Sequence, residues 1–279
     1  VQSVLDAFLD EQAERLADLG PDAAALIAEA RIAVSGGKRL RAAFCHAGYR
    51  AIRPVATEAV AAQPLLRACA ALELLHASAL VHDDFMDASD TRRGRPATHR
   101  VFESSHRAAG MTGDPVQYGA AAAILLGDLL LTWADEMLRR CGLPLDRVSA
   151  ALDVFDLCRS EVVAGQFLDV SVQARGSASV ETAMNVLRYK SAKYSVERPL
   201  HIGAALAGAT PEQMTALTNF GLPLGEAFQL RDDQLGVFGD PAVTGKPAGD
   251  DLVEGKRTVL VALTLDAAPS ADAAVLDAS

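Results

Sequence analysis

The sequence predicts an all-α protein, a single-domain helical bundle. Three observations carry the helical class. Half of the 279 residues are hydrophobic but only 5% are aromatic; alanine and leucine dominate instead, and both favour helix over strand. Apolar residues recur at helical spacing in one segment after another. No alternating apolar and polar run persists, and no repeat or linker composition divides residues 1–279, so one domain is the economical reading.

The elements follow in order. Val4, Leu5, Phe8, Leu9, Leu16 and Leu19 mark a first helix, ended by Gly20-Pro21. A second helix runs to Val34 and breaks at Ser35-Gly36-Gly37. Arg39 to Tyr49 is helical again, and Arg67 to Asp87 is a long apolar helix. Ala88 to Pro115 is polar, with Gly94, Pro96, Gly110 and Gly113, and reads as loop with short helices. Tyr118 to Arg140 and Leu145 to Gln173 are long helices, the second stopped by Arg175-Gly176-Ser177. Val180 to Lys193 and Pro199 to Ala209 read as two helices, with Pro199 as a kink or a start. Pro211 to Phe238 follows, then turns at Gly239-Asp240-Pro241 and Thr244-Gly245-Lys246-Pro247.

The net charge of −10 and the lack of a basic stripe argue against nucleic acid. Cys45, Cys69, Cys141 and Cys158 have no CxxC spacing and read as small core residues in a reducing compartment. No signal peptide is visible. The longest apolar stretch, Ala120 to Leu131, carries Asp128 and is too short to span a bilayer. A soluble cytoplasmic protein is expected. The chain lacks an initiator Met and stops in an alanine-rich segment, so its completeness at the termini stays open.

Two aspartate clusters stand out: Asp83-Asp84-Phe85-Met86-Asp87 and Asp232-Asp233. On a helix Asp83, Asp84 and Asp87 share one face. Like charges at that spacing repel by roughly 0.2–0.5 kcal/mol per exposed pair. Two such clusters in apolar surroundings imply a missing cation, and all-oxygen ligands favour Mg2+ bridged to a phosphate. Basic groups recur beside them: Lys38, Arg39 and Arg41 after the glycine break, Arg92, Arg93 and Arg95 after the first cluster, Lys190 and Lys193 later, then Lys246, Lys256 and Arg257. Arginine forks and lysine point charges suit oligophosphate oxygens, and a glycine break before a helix start exposes N–H groups to an anion. One basic group alone is usually a solvated face; carboxylates and basic groups recurring together are not.

These residues resemble the trans-isoprenyl diphosphate synthase, or polyprenyl synthetase, family over nearly the whole chain. The resemblance rests on Gly36-Gly37-Lys38-Arg39-Leu40-Arg41, on Asp83-Asp84-Phe85-Met86-Asp87 with Arg92-Arg93-Gly94, on Gly165-Gln166 with Asp169, on Lys190, on Phe228-Gln229-Leu230-Arg231-Asp232-Asp233 and on Gly245-Lys246-Pro247. It implies that Asp83 and Asp87 bind Mg2+ with support from Asp84, and that Asp232 and Asp233 hold a further ion, three Mg2+ per active site with substrate bound. It implies that Arg92, Lys190 and Lys246 contact an allylic diphosphate (dimethylallyl, geranyl or farnesyl), and that Lys38, Arg41, His76 and Arg93 hold isopentenyl diphosphate. Gln166 and Gln229 would line the site, with Lys190 and Gln229 facing the developing allylic cation. Neutralisation of the departing diphosphate by Mg2+, Lys and Arg is the implied catalysis, in a cavity dry enough to protect the cation. A homodimer is expected, and the helix Tyr118 to Leu138, apolar nearly all round, suits an interface.

The second motif departs from the family's DDxxD pattern. Gly236 stands in the fifth position, and Asp240 lies beyond the expected helix end. Product length reads from the residues one turn before Asp83, since the family's product tail runs beside this helix. Ser78 and Ala79 are small, Leu75 and Leu72 lie in the layers below, and Trp133 is a candidate floor. A product longer than farnesyl diphosphate follows, with geranylgeranyl diphosphate the leading choice. The alternatives are a longer polyprenyl product, a class I terpene cyclase, and a non-catalytic subunit of a two-component synthase. Lys38, Arg41 and Arg93 speak against the cyclase, and the intact first motif against the subunit. His82-Asp83 also spells a metal phosphohydrolase dyad, which leaves the second aspartates unexplained.

Overall fold

Helix α1 (Gln2–Arg15) passes through a 3-10 turn (Ala17–Leu19) to Gly20, whose φ of 77° stops it; Pro21 then opens α2 (Pro21–Ala33) at the position where its missing N–H is harmless. A computed structural model describes residues 1–54, 59–176, 179–240, 249, 252 and 255–277. The remaining helices are α3 (Leu40–Ile52), α4 (Ala59–Met86), α5 (Thr98–Ala108), α6 (Pro115–Arg139), α7 (Leu145–Arg175), α8 (Val180–Val186), α9 (Arg198–Ala207), α10 (Pro211–Phe238), α11 (Val259–Ala267) and α12 (Ser270–Asp277). The protein is all-α; among the described residues the only sheet is a two-strand antiparallel hairpin, β1 (Thr91–Arg92) with β2 (Arg95–Pro96).

The chain forms two compact units, Val1–His46 with Arg53–Ser149, and Ala47–Ile52 with Ala150–Ser279. Composition marks no boundary because the boundaries fall inside α3 and α7 rather than in linkers. In the first unit α4 and α5 pack along α6. Leu72, Leu74, Leu126, Leu130, Met137 and Leu138 are fully buried, each contributing roughly 1.5–3 kcal/mol. Two glycines of α6 permit the close approach: a Cβ on Gly127 would lie 2.1 Å from His82 Nε2, and one on Gly119 would lie 2.2 Å from the His99 carbonyl oxygen. Phe8 of α1 meets Trp133 edge to face at 6.2 Å.

Helix α4 starts earlier than the sequence reading and absorbs Pro64, because the alanine-rich segment before it is itself a good helix former. By length and composition α4 from Ala62 and α6 could each cross a membrane, but 67% and 44% of their apolar windows are buried inside the protein. The twelve-residue stretch read as too short is thus part of a longer helix.

In the second unit α8 runs without a break through a π-helical segment, Leu187–Glu197, into α9. The sequence reading separated these pieces at Pro199. The proline instead sits in the first turn of α9, where it is tolerated. Ala183, Leu187, Ala192, Val259 and Ala262 form a core between α8, the π segment and α11. Thr210 and Gln213 close a capping box at the start of α10, with bonds of 3.3 Å and 2.9 Å.

Candidate active site

Helix α4 ends immediately after its aspartates, and the stop has a local cause. Ser89 N–H donates to the Asp84 carbonyl at 2.9 Å and Ala88 N–H to the Phe85 carbonyl at 3.2 Å, the Schellman pattern. Ala88 takes the left-handed position at φ 52°, where glycine is usual. The chain then turns back through the β1–β2 hairpin, and Arg92 returns to α4. Its Nε donates to Asp84 Oδ1 at 2.8 Å, its Nη2 donates to the same oxygen, and Nη2 lies 3.8 Å from Asp83 Oδ2. Asp84 is buried, while Asp83 and Asp87 are half-buried.

The glycine break lies nearby in the same unit. Gly36 and Gly37 adopt φ of 67° and 81°. Arg93 Nη1 donates to the Ser35 carbonyl at 2.6 Å, and a Cβ on Gly37 would sit 3.2 Å from Arg93 Nη2. Arg39 donates to Glu73 at 3.1 Å, to the Val34 carbonyl at 2.5 Å and to Gln2. The buried Glu73 also accepts from Ala42 N–H at 3.2 Å, so one carboxylate of α4 caps the start of α3 and holds Arg39 there. Arg39 and Arg93 are left-handed like Ala88. Among the described residues these are the only non-glycine residues with positive φ, and all three flank this site, where backbone strain tends to concentrate.

His76 lies two turns before Asp83 on α4. Burial, and then the charges of Arg41, Arg93, Arg92 and Arg39, push its imidazole well below the ordinary value. It is neutral at physiological pH and feels the positive charge of four arginines. Burial and its arginine neighbours also lower Arg93. This is a strongly electropositive site for an anion. Lys38 beside it is exposed and Arg41 half-buried. On the neighbouring side, Ile32, Ala77, Leu80 and Val81 with Arg92 and Arg93 line a cavity of about 230 Å³.

The second unit gathers the later motifs. Lys190 Nζ donates to Asp169 of α7 at 2.6 Å. Gln229 Nε2 donates to Asp233 Oδ1 at 2.8 Å, one turn along α10. Asp233 is buried and Asp232 exposed. Gln166 is half-buried on α7. Gly236 lies inside α10, and Asp240 falls past its end. Lys246 lies outside the described residues. Of the residues assigned to chain length, Ser78, Leu75 and Trp133 are buried and Ala79 half-buried.

The donor set fits Mg2+. Mg2+ commonly uses one or two carboxylates and completes its shell with water and phosphate. Asp83 and Asp87 offer that, one turn apart, while Arg92 neutralises Asp84. Among the described residues no group of three or more His, Cys, Asp or Glu side chains is placed to hold a metal ion.

Sequence reasoning passed over Glu73 and Glu161. Glu161 accepts from Lys193 at 2.7 Å and from Arg198 at 2.7 and 2.8 Å. Glu73 is a solitary acid in an apolar helical run, and that was the available signal; Glu161 follows Asp156, Arg159 and Ser160 and stands out by nothing local.

Comparisons with known proteins identify the family of the chain. The polyprenyl synthetase family matches residues 25–279. A short chain isoprenyl diphosphate synthase of Methanothermobacter thermautotrophicus is 33% identical over 93% of this chain and 72% of its own length. A geranylgeranyl diphosphate synthase of Methanosarcina mazei is 36% identical over 81% of this chain and 63% of its own. The chain thus spans only part of the length of these relatives. A solved structure of geranylgeranyl pyrophosphate synthase from Corynebacterium glutamicum, complexed with isoprenyl diphosphate and magnesium, superposes with a TM-score of 0.93 at 44% identity, covering 99% of this chain and 79% of that one. Paired carboxylates, the arginines that reach them and an all-helical scaffold meet here in a chain that belongs to the polyprenyl synthetase family of prenyltransferases.

Proposed function

We propose that the protein condenses isopentenyl diphosphate with an allylic diphosphate, head to tail, and releases all-trans geranylgeranyl diphosphate. The observation that carries this reading is the meeting of two basic side chains with the first aspartates and the glycine break: Arg92 lies 2.8 Å from Asp84 and 3.8 Å from Asp83, and Arg93 bonds the Ser35 carbonyl at 2.6 Å. Lys38, Arg41, His76 and Arg93 hold isopentenyl diphosphate. Arg92, Lys190 and Lys246 take the allylic diphosphate, and Gln166 and Gln229 line the site. Asp83, Asp87 and Asp232 hold Mg2+, three ions with substrate bound, with Asp84 and Asp233 in support. Mg2+ held by these carboxylates would supply Lewis-acid neutralisation of diphosphate charge. Lys190, Arg92 and Gln229 steady the charge that separates as the allylic C–O bond ionises.

Product length follows from α4. A helical turn is about 5.4 Å, so Ser78 and Ala79 lie one layer below Asp83, and neither is large enough to stop a growing tail. Leu75 lies a further turn down α4, and Trp133 of α6 is the candidate floor. The exposed apolar residues Tyr118, Ile124 and Leu125 of α6 support a homodimer.

The test is a product assay. Purified protein is incubated with Mg2+, isopentenyl diphosphate and, separately, dimethylallyl, geranyl and farnesyl diphosphate, and the dephosphorylated products are chromatographed. Geranylgeraniol is expected. Arrest at farnesol would overturn the reading of Ser78 and Ala79. No elongation by folded protein would point to a partner-dependent subunit or to a site disabled by Gly236.

A further inference from the structure

The π-helical segment Leu187–Glu197 carries Lys190, and α7 meets it with a regular ladder. Glu161, Gly165 and Asp169 are spaced four apart on α7, so they line one face. Asp169 accepts from Lys190 at 2.6 Å. Glu161, two turns away, accepts from Lys193 at 2.7 Å and takes Arg198 through both Nε and Nη2. Between the two carboxylates, Gly165 lets the backbone in: a Cβ there would lie 2.4 Å from Lys190 N. Lys193 is further pinned over the Tyr189 ring at 4.5 Å. On the far side Gly225 of α10 leaves room for Ala192, whose carbonyl oxygen would lie 2.6 Å from a Cβ.

A π-helix is rare and has poorer intrinsic stability than an α-helix, so something outside the segment must hold its register. Glu161 is placed to do so. It is largely buried, and so are its two partners, with side chains 12% to 16% exposed. Burial pushes the Glu161 carboxyl up, and the bonds from Arg198 and Lys193 more than reverse this. The carboxylate is therefore charged and bridges the middle of the π segment to the first residue of α9.

We infer that Glu161 is a positioning residue for Lys190: by holding Lys193 and Arg198 it fixes the register of the π segment, and so the place where Lys190 presents its ammonium to an anionic substrate. This rests on the proposed role of Lys190 at the allylic diphosphate. Without Glu161 the segment can relax towards α-helical bonding, which would rotate Lys190 off the Asp169 side of α7.

The test is steady-state kinetics on Glu161→Gln, Lys190→Ala and the double variant, with KM measured separately for the allylic diphosphate and for isopentenyl diphosphate. A misplacement near 1 Å can cost about a hundredfold, so Glu161→Gln is expected to raise the allylic KM or lower kcat by about tenfold or more, with the isopentenyl diphosphate KM unmoved. In the Lys190→Ala background it should add almost nothing, since coupled residues are non-additive. Glu161→Asp, which keeps the charge, should recover most of the loss; it also carries the test if Glu161→Gln does not fold, as judged by circular dichroism. If Lys190→Ala affects the allylic substrate but Glu161→Gln does not, or the two effects simply add, the inference fails while the role of Lys190 stands. If Lys190→Ala leaves the allylic KM and kcat unchanged, the role of Lys190 fails, and the inference with it.

Discussion

Arg92 and Asp84 are locked together across the end of α4, with Nε 2.8 Å from Oδ1 and Nη2 donating to the same oxygen. The pair neutralises the buried Asp84, and the same guanidinium reaches within 3.8 Å of Asp83, so Arg92 sets the charge at this end of the helix. Removing one partner of a buried pair strands the other charge. Arg92→Ala should therefore cost about 3 kcal/mol of stability, read from the denaturant midpoint. Asp84→Asn leaves a neutral acceptor and should cost less. Arg92→Ala should also lower kcat by about a hundredfold, the scale of losing one donor to a developing anion.

Ala88 occupies a left-handed position that normally takes glycine. A left-handed L-residue costs roughly 1–2 kcal/mol, partly offset by the extra chain entropy that glycine would lose. Ala88→Gly should stabilise the protein by about 0.5–1 kcal/mol. A loss of stability in chemical denaturation would mean that the Ala88 side chain packs more usefully than its backbone strains.

His76 makes stability depend on pH in a defined direction. Its folded-state value is pushed well below the ordinary one, so between that value and about 6.5 the unfolded chain binds the extra proton. Stability is then fully present above about pH 6.5 and falls as pH drops below it. Burial lowers His99 and His201 as well, so the wild-type slope contains all three. The difference between wild type and His76→Gln isolates one. Denaturant midpoints at pH 7.5 and 5.5 should lie closer together in the variant, and equal slopes would show that His76 is not buried neutral.

Much of this was legible in the sequence because it is local. Gly20-Pro21 separates α1 from α2, and the aspartate motifs sit at one helical spacing. The ion pairs that shape the site were not legible. Arg39 meets Glu73 34 residues away, and Arg198 meets Glu161 37 residues away; no local pattern encodes either. The π segment was hidden for a different reason. Over eleven residues its apolar spacing resembles that of an α-helix, and Pro199 argues for a break. What removes the break is tertiary: glycines of α7 and α10 admit the wider turn.

Those glycines supply the sharpest test of the segment. A methyl group on Gly165 would lie 2.4 Å from Lys190 N, 2.6 Å from the Tyr189 carbonyl carbon and 2.9 Å from Lys190 Cα. All three are backbone atoms, so no side chain can swing aside to relieve the clash. Alanine would favour the α7 helix itself by about 1 kcal/mol, yet overpacking of this kind costs roughly 1–3 kcal/mol. The second effect should win, and the protein should lose stability in spite of the better helix former. The π segment must also move away from α7, which lengthens the Lys190–Asp169 contact from 2.6 Å. Gly165→Ala should therefore lower both the melting temperature and kcat, whereas Gly176→Ala, at a left-handed position with open space around its Cβ, should lower stability alone. Equal kcat in the two variants would mean that the approach of α7 to the π segment does not set the position of Lys190.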